Sequence, residues 1–172
     1  MARTKKGQES GTKAWYALAV ARILVGFIFL WAFIDKVFGF GFATKAGKAW
    51  INGVSPTSGF LAKGVNAEGP LVDFYHSLAG SPLADWLFMI GLLGIGLALI
   101  FGMGLRVAAV TGTALLAMLW LAELPLANNP IVDEHIIYIA VIWIVVLAPV
   151  QKLSATNWWR ELPYVKQHKW LW

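Results

Sequence analysis

The chain has 172 residues, of which 59% are hydrophobic and only 13% charged, with ten Trp and a formal net charge of +5. That balance excludes an ordinary soluble domain of this length and points to a single membrane domain. Cysteine is absent, which excludes a disulfide, a CxxC redox pair or an iron-sulfur centre built from this chain alone. The positive charge is concentrated in the two tails and offers no folded basic face, so nucleic acid is not an expected partner.

Four apolar runs are each long enough to cross a hydrocarbon core, which takes about 20 helical residues. The first, from about Ala14 to Phe38, follows a basic tail (residues 1–13) carrying Arg3, Lys5, Lys6 and Lys13. It exceeds a signal-peptide h-region and lacks a small-x-small cleavage site, so it reads as retained. Arg22, Gly26, Phe29, Phe33 and Lys36 share one stripe of this helix. No acidic residue lies in the inner half of any run to neutralise Arg22. Three environments suit such a cation: lipid phosphate reached by snorkelling, carbonyls and water, or an anionic or carbonyl-bearing ligand.

An outer segment, residues 41–82, follows. Ser55 is the expected N-cap and Pro56 the first helical residue of one short helix, with Gly64 as its stop. Pro70 and Gly80 bracket another, with Leu71, Phe74, Tyr75 and Leu78 as its apolar stripe. The segment is expected either to lie over the outer mouth of a helical bundle as a cap or to be an interfacial loop with no ligand beneath it.

The second and third runs, Leu83 to Phe101 and Leu105 to Leu124, are joined by the short turn GMGLR. Gly91, Gly94 and Gly96 on one and Thr111, Gly112, Thr113 and Ala114 on the other are expected to bring these two helices close. The fourth run, Pro130 to Leu147, opens NPIVDEHIIY, with Asn129 and Pro130 as the expected cap and first helical residue, and the acids complementing the helix dipole. His135, Tyr138 and Glu134 share neighbouring positions on its surface. A basic tail with Trp158, Trp159, Trp170 and Trp172 (residues 153–172) suits the headgroup level.

These readings define an all-α membrane protein, an antiparallel bundle of four transmembrane helices over residues 14–152 with lipid as its solvent. Basic residues flank both ends of the chain, whereas the outer connections hold only Lys45, Lys48 and Lys63, which places both termini in the cytoplasm. Asp35, Lys36, Asp85, Glu123, Asp133, Glu134 and His135 then share the outer side. Glu123, Glu134, His135 and Tyr138 beside Lys36 are the candidate group for proton transfer, quinone contact or attraction of a small anion. Three His without ligand spacing, with His76 and His135 the sole arrangement for a bis-His site, make metal or haem unexpected.

In ARILVGFIFLWAFIDKVFG, NGVSPTSGFL, DWLFMIGLLGIGLAL and NPIVDEHIIY the chain resembles the DoxX/DoxD group of small four-helix prokaryotic membrane proteins, and most closely its DoxD-like branch. The resemblance implies a plasma-membrane subunit of thiosulfate:quinone oxidoreductase, with quinone as electron acceptor. For that activity the candidate catalytic residues of this chain are Glu123, Glu134, His135 and Tyr138, for proton or quinone contacts, with Arg22 and Lys36 as the candidate substrate-binding cations; the resemblance itself assigns no catalytic residue. The enzyme type also has a DoxA-like component, and no part of this chain resembles it, so a DoxA-like subunit, a respiratory complex or further copies of the chain are the expected partners. Two other functions suit the same residues: a non-catalytic anchor or assembly subunit of a redox complex, and a small-anion transporter using Arg22 and Lys36.

Overall fold

A computed structural model describes residues 2–172, with side chains from residue 11 onward. The first helix, α1, runs Ala2–Phe38. The basic tail expected over residues 1–13 is therefore continuous with α1 in its backbone from residue 2, while Met1 and the side chains of Arg3, Lys5 and Lys6 lie outside the described residues. The helix ends where Gly39 takes a left-handed φ of 67° and Asp35, buried, accepts the backbone N–H groups of Phe40 and Thr44 at 3.1 and 2.8 Å. Asp35 thus closes a turn.

Two single-turn 3-10 segments, Ala46–Lys48 and Trp50–Asn52, lead to α2 (Ser58–Lys63) and α3 (Val72–Leu78). They are followed by α4 (Pro82–Phe101), α5 (Leu105–Glu123), α6 (Glu134–Val146), α7 (Thr156–Glu161), α8 (Pro163–Gln167) and a last 3-10 turn, Lys169–Leu171. No strand occurs among the described residues. Among the described residues three helices are long and apolar enough to cross a membrane: Gly11–Phe38 of α1, α4 and α5. Only 28–33% of each apolar window is buried within the protein. The rest presents Leu24, Phe27, Leu87, Ile90, Val110 and other large side chains outward, a surface that lipid solvates and water does not.

The fourth apolar run differs from its expected extent. Its helix spans 13 residues, or ~20 Å, against a hydrocarbon core of ~30 Å. Asn129 and Pro130 do not start it. The Asn129 Oδ1 instead accepts the N–H groups of Ile131 and Val132, folding 129–132 into a turn, and Asp133 is the N-cap, its side chain accepting from Ile136 N.

The outer segment holds the two expected short helices with different caps. Thr57 precedes α2, and Pro56 lies in the turn before it. Ser55 still serves the helix start, accepting from Ser58 N at 3.0 Å. Both hydroxyls, of Ser55 and Thr57, donate to the buried Asp85 of α4 and so tie α2 to the start of that helix. Of the expected α3 stripe, Leu71 and Phe74 are exposed while Tyr75 is buried and donates to the Met118 carbonyl at 2.7 Å. Burial raises the Tyr75 phenol above its ordinary pKa. Asn66 closes the lid from the other side: its side-chain amide donates to the Glu123 and Pro125 carbonyls and its backbone N–H to the Ala122 carbonyl, groups left free where α5 ends.

Helix packing is most extensive between α1 and α4, then between α5 and α6. Val25 and Phe29 of α1 share a core with Met89, Leu92, Ile95 and Leu99 of α4, Leu116 of α5 and Ile142 of α6. Small residues admit this approach, though not at the expected interface throughout. A Cβ on Gly96 would stand 2.8 Å from Leu30 N, and one on Gly26 would stand 2.9 Å from Leu99 Cβ, so both glycines serve the α1–α4 contact. Gly91 faces Leu115 and Gly112 faces Ile95 and Ile142, whereas Gly94 faces open space and the Thr111 hydroxyl bonds to the Val107 carbonyl of its own helix. Substituting Gly96→Val is expected to lower stability in detergent by about 1–3 kcal/mol through backbone displacement. Gly94→Ala, which meets nothing within 4 Å, is expected to leave the thermal midpoint unchanged or raised.

Candidate functional site

Where α5 ends and α6 begins, three titratable side chains converge. Glu123 is the last residue of α5, Asp133 caps α6 and His135 lies in its first turn. One donor atom from each lies within 4.8 Å of the others. The His135 Nδ1 and Asp133 Oδ2 are 2.8 Å apart, with side chains 12% and 10% exposed. The connection is held in place by the Trp120 indole, whose Nε1–H donates to the Ile131 carbonyl at 2.9 Å.

Asp133 therefore has two roles at once. One carboxylate oxygen accepts from Ile136 N and the other meets His135. Burial by itself would raise its pKa, but the hydrogen bond from His135, the N–H of Ile136 and the charge on His135 outweigh it and hold the carboxyl below its ordinary value. Such a carboxylate orients the imidazole, and with Nδ1 protonated leaves Nε2 as the basic atom. Glu123 supplies a second carboxylate that also lines an open depression of about 320 Å³, shared with Gly64, Asn66, Pro125, Leu126 and Ala127. The trio can pass protons between solvent and the protein, and it offers one ligand atom each to a divalent cation. His76 is not part of this group.

The other expected site residues have surroundings of their own. Glu134 is exposed, and Tyr138, half-buried, packs against the helical core. Lys36, half-buried near the end of α1, sits 5.8 Å from the centre of the Phe88 ring. No carboxylate among the described residues lies within 4.0 Å of it. Glu123 and His135 are thus brought together, and Asp133, expected only as a helix-starting acid, joins them. Its i, i+2 spacing from His135 was the available signal.

Arg22 departs furthest from a substrate-binding role. It is wholly buried (0% exposed) and does not snorkel. Its Nη1 donates to the Leu99 and Ile100 carbonyls, and its Nη2 to those of Lys152 and Leu153 at 3.0 and 2.9 Å. Only Nε is without a partner, and it too is buried. The guanidinium is occupied by backbone, leaving no terminal amino group for an anion. Comparison with protein-family models, with curated proteins and with solved structures returns no match.

Two variants probe these arrangements. Asn caps helices as well as Asp does, so Asp133→Asn keeps the cap and removes the charge. Because the folded-state pKa of Asp133 is depressed, its contribution is complete above the unfolded carboxylate value and lost as pH falls through the folded one. Urea denaturation across that acid range is expected to show a smaller acid-side loss of stability in the variant than in the parent. For Arg22→Lys, one ammonium cannot span two pairs of carbonyls. The expected loss is about 2–4 kcal/mol, from unsatisfied buried acceptors, read as a lowered unfolding midpoint in the same detergent.

Proposed function

We propose that this chain is a multi-pass membrane subunit of a redox system, DoxD-like in its reaction, in which Glu123, Asp133 and His135 exchange protons at one mouth of a four-helix bundle. The observation that carries the reading is the convergence of two carboxylates and an imidazole from the adjoining ends of two helices within 4.8 Å, beside a solvent-open depression. Paired contacts support the antiparallel bundle. Gly26 meets Ile100 as Leu30 meets Gly96, Gly91 meets Leu115 as Ile95 meets Gly112, and Thr113 meets Trp143 as Trp120 meets Ile131, so the numbering runs in opposite senses along each pair. In this reading α6 completes its crossing with the unwound residues that flank it, and both termini face the cytoplasm of a prokaryotic cell.

The reaction that fits a proton-handling group at a quinone-reactive membrane site takes two thiosulfates and one quinone. Two thiosulfates join through a new sulfur–sulfur bond and release two electrons. The quinone takes these and two protons to become quinol. His135 and Glu123 deliver the protons, Asp133 holds the imidazole by its Nδ1–H so that Nε2 takes up a proton and passes it on, and Lys36 attracts the dianion. Arg22 has no part in this chemistry, because its donors are committed to carbonyls.

A second reading, a non-catalytic anchor or assembly subunit, is favoured by the filled interior: Met89, Leu99 and Ile142 are fully buried where the helices meet. The same commitment of Arg22 removes one of the two cations that an anion path would use. Purified protein in lipid, given thiosulfate and a soluble quinone with and without a DoxA-like partner, is expected to form tetrathionate and quinol. His135→Gln is expected to slow quinol formation about 10²-fold or more, the usual contribution of a positioned acid. Absence of both products under every condition, with co-purification of a larger oxidoreductase at fixed stoichiometry, would establish the anchor instead.

A further inference from the structure

The end of the protein remote from the Glu123 cluster carries a different charge pattern. After α6 the chain returns across the ends of α4 and α5 and is fastened there. Ala155 N–H donates to the Phe101 carbonyl, the Thr156 hydroxyl to the Gly102 carbonyl at 2.6 Å and Arg106 N–H to the Trp172 oxygen at 3.0 Å. Within the segment, the Trp159 and Trp172 indoles donate to the Leu171 and Val165 carbonyls, and Val165 is buried. The tail is a built surface.

This surface gathers three cations near Trp172, two of them over its ring. The Arg160 guanidinium lies 5.2 Å from the ring centre and the Lys169 ammonium 5.9 Å from it. Arg106 donates to the Lys169 carbonyl at 3.3 Å. All three cations are exposed. Among the described residues no side-chain carboxylate lies within 4.0 Å of any of them, and the nearby Glu161 is taken by Lys166 at 2.7 Å. Like charges grouped beside one ring repel each other, and no side-chain carboxylate of the described residues relieves that repulsion.

We propose that Arg106, Arg160 and Lys169 form a binding site for the phosphodiester of an anionic phospholipid. A phosphate oxygen array matches the guanidinium forks and the ammonium. A lipid, and not a soluble phosphate, is the occupant because the site adjoins the ends of helices that are lipid-facing. Exposed Trp158, Tyr164 and Trp170 lie on the same segment, with the amphipathic rings that settle at headgroup depth. The neighbouring Lys152, 5.7 Å from the Tyr16 ring, extends the positive face back to α1. Each basic residue near an anionic lipid surface strengthens binding about fivefold.

The test is native mass spectrometry of the full chain in detergent, titrated with phosphatidylglycerol or with phosphatidylcholine of the same acyl chains. Phosphatidylglycerol is expected to bind about tenfold tighter or more, and R106Q/R160Q/K169Q to abolish the preference. The pair R160Q/K169Q, at exposed positions, is a second variant and is expected to lose most of it, with an unchanged thermal midpoint. K45Q/K48Q/K63Q, in the outer segment, is expected to keep the preference in full. No difference between the two lipids, or a preference that survives both tail variants, would overturn the proposal. Inorganic phosphate displacing the lipid at equal concentration would overturn it as well, since the cluster would then be a soluble-anion site.

Discussion

The guanidinium of Arg22 is the interaction on which the helical core depends. A helix leaves its last four carbonyls without intrahelical partners, and in a water-poor setting each must be answered by protein. At the end of α4 the accounting is complete. The Ala98 carbonyl accepts from Gly102 and Met103 N–H, those of Leu99 and Ile100 from Arg22, and that of Phe101 from Ala155 N–H. Arg22 therefore replaces the water that a soluble helix would use. The negative end of the α4 dipole stabilises the charge in return, which is how a buried arginine persists without a carboxylate. Because its second amino group reaches Lys152 and Leu153, one side chain joins α1, α4 and the returning tail.

This interaction in turn dictates its surroundings. Gly102 has a left-handed φ of 71°, and a Cβ there would come within 2.5 Å of Ser154 Cβ and 2.7 Å of the Arg22 guanidinium. Only glycine meets both demands. The close approach of α1 to α4 at Gly26 and Gly96 lies within two turns of Arg22, so the small residues and the arginine act together: without the former the guanidinium could not reach the helix end.

Much of the helical framework was legible because the membrane imposes a coarse and strong code. Apolar length located α1, α4 and α5 to within a few residues of their apolar bounds, as lipid-exposed backbone has few alternatives to helix. The fourth run misled because hydropathy does not register a turn. Ile131 and Val132 are as apolar as helical residues, yet Asn129 folds them into a loop and Asp133 restarts the chain. The extension of α1 back to Ala2 leaves no hydropathy signal for the opposite reason, since Lys, Gln and Glu favour helix without any apolar period. At the candidate site, Glu123 and His135 were readable as residue types placed at adjoining helix ends. The partners of Arg22 were not readable. Backbone carbonyls carry no sequence signature, and only the lack of any acid near Arg22 hinted at them.

The acidic residues do not form one site, and their fates follow from what each segment needs. Asp35 and Asp85 are buried and spend their oxygens on backbone amides and hydroxyls of the outer segment, fixing it to α1 and α4. Neither makes an ion-pair contact with Lys36, whose ammonium lies 5.8 Å from the centre of the Phe88 ring. The Glu123 carboxylate has no such duty, because Asn66 answers the backbone at the end of α5 in its place. Glu123 is free to face Asp133 and His135 because the surrounding chain satisfies its own hydrogen bonds. An acid released from structural work, next to an oriented imidazole and open to solvent, is the condition under which a proton can be gained or lost without unfolding the helix that carries it.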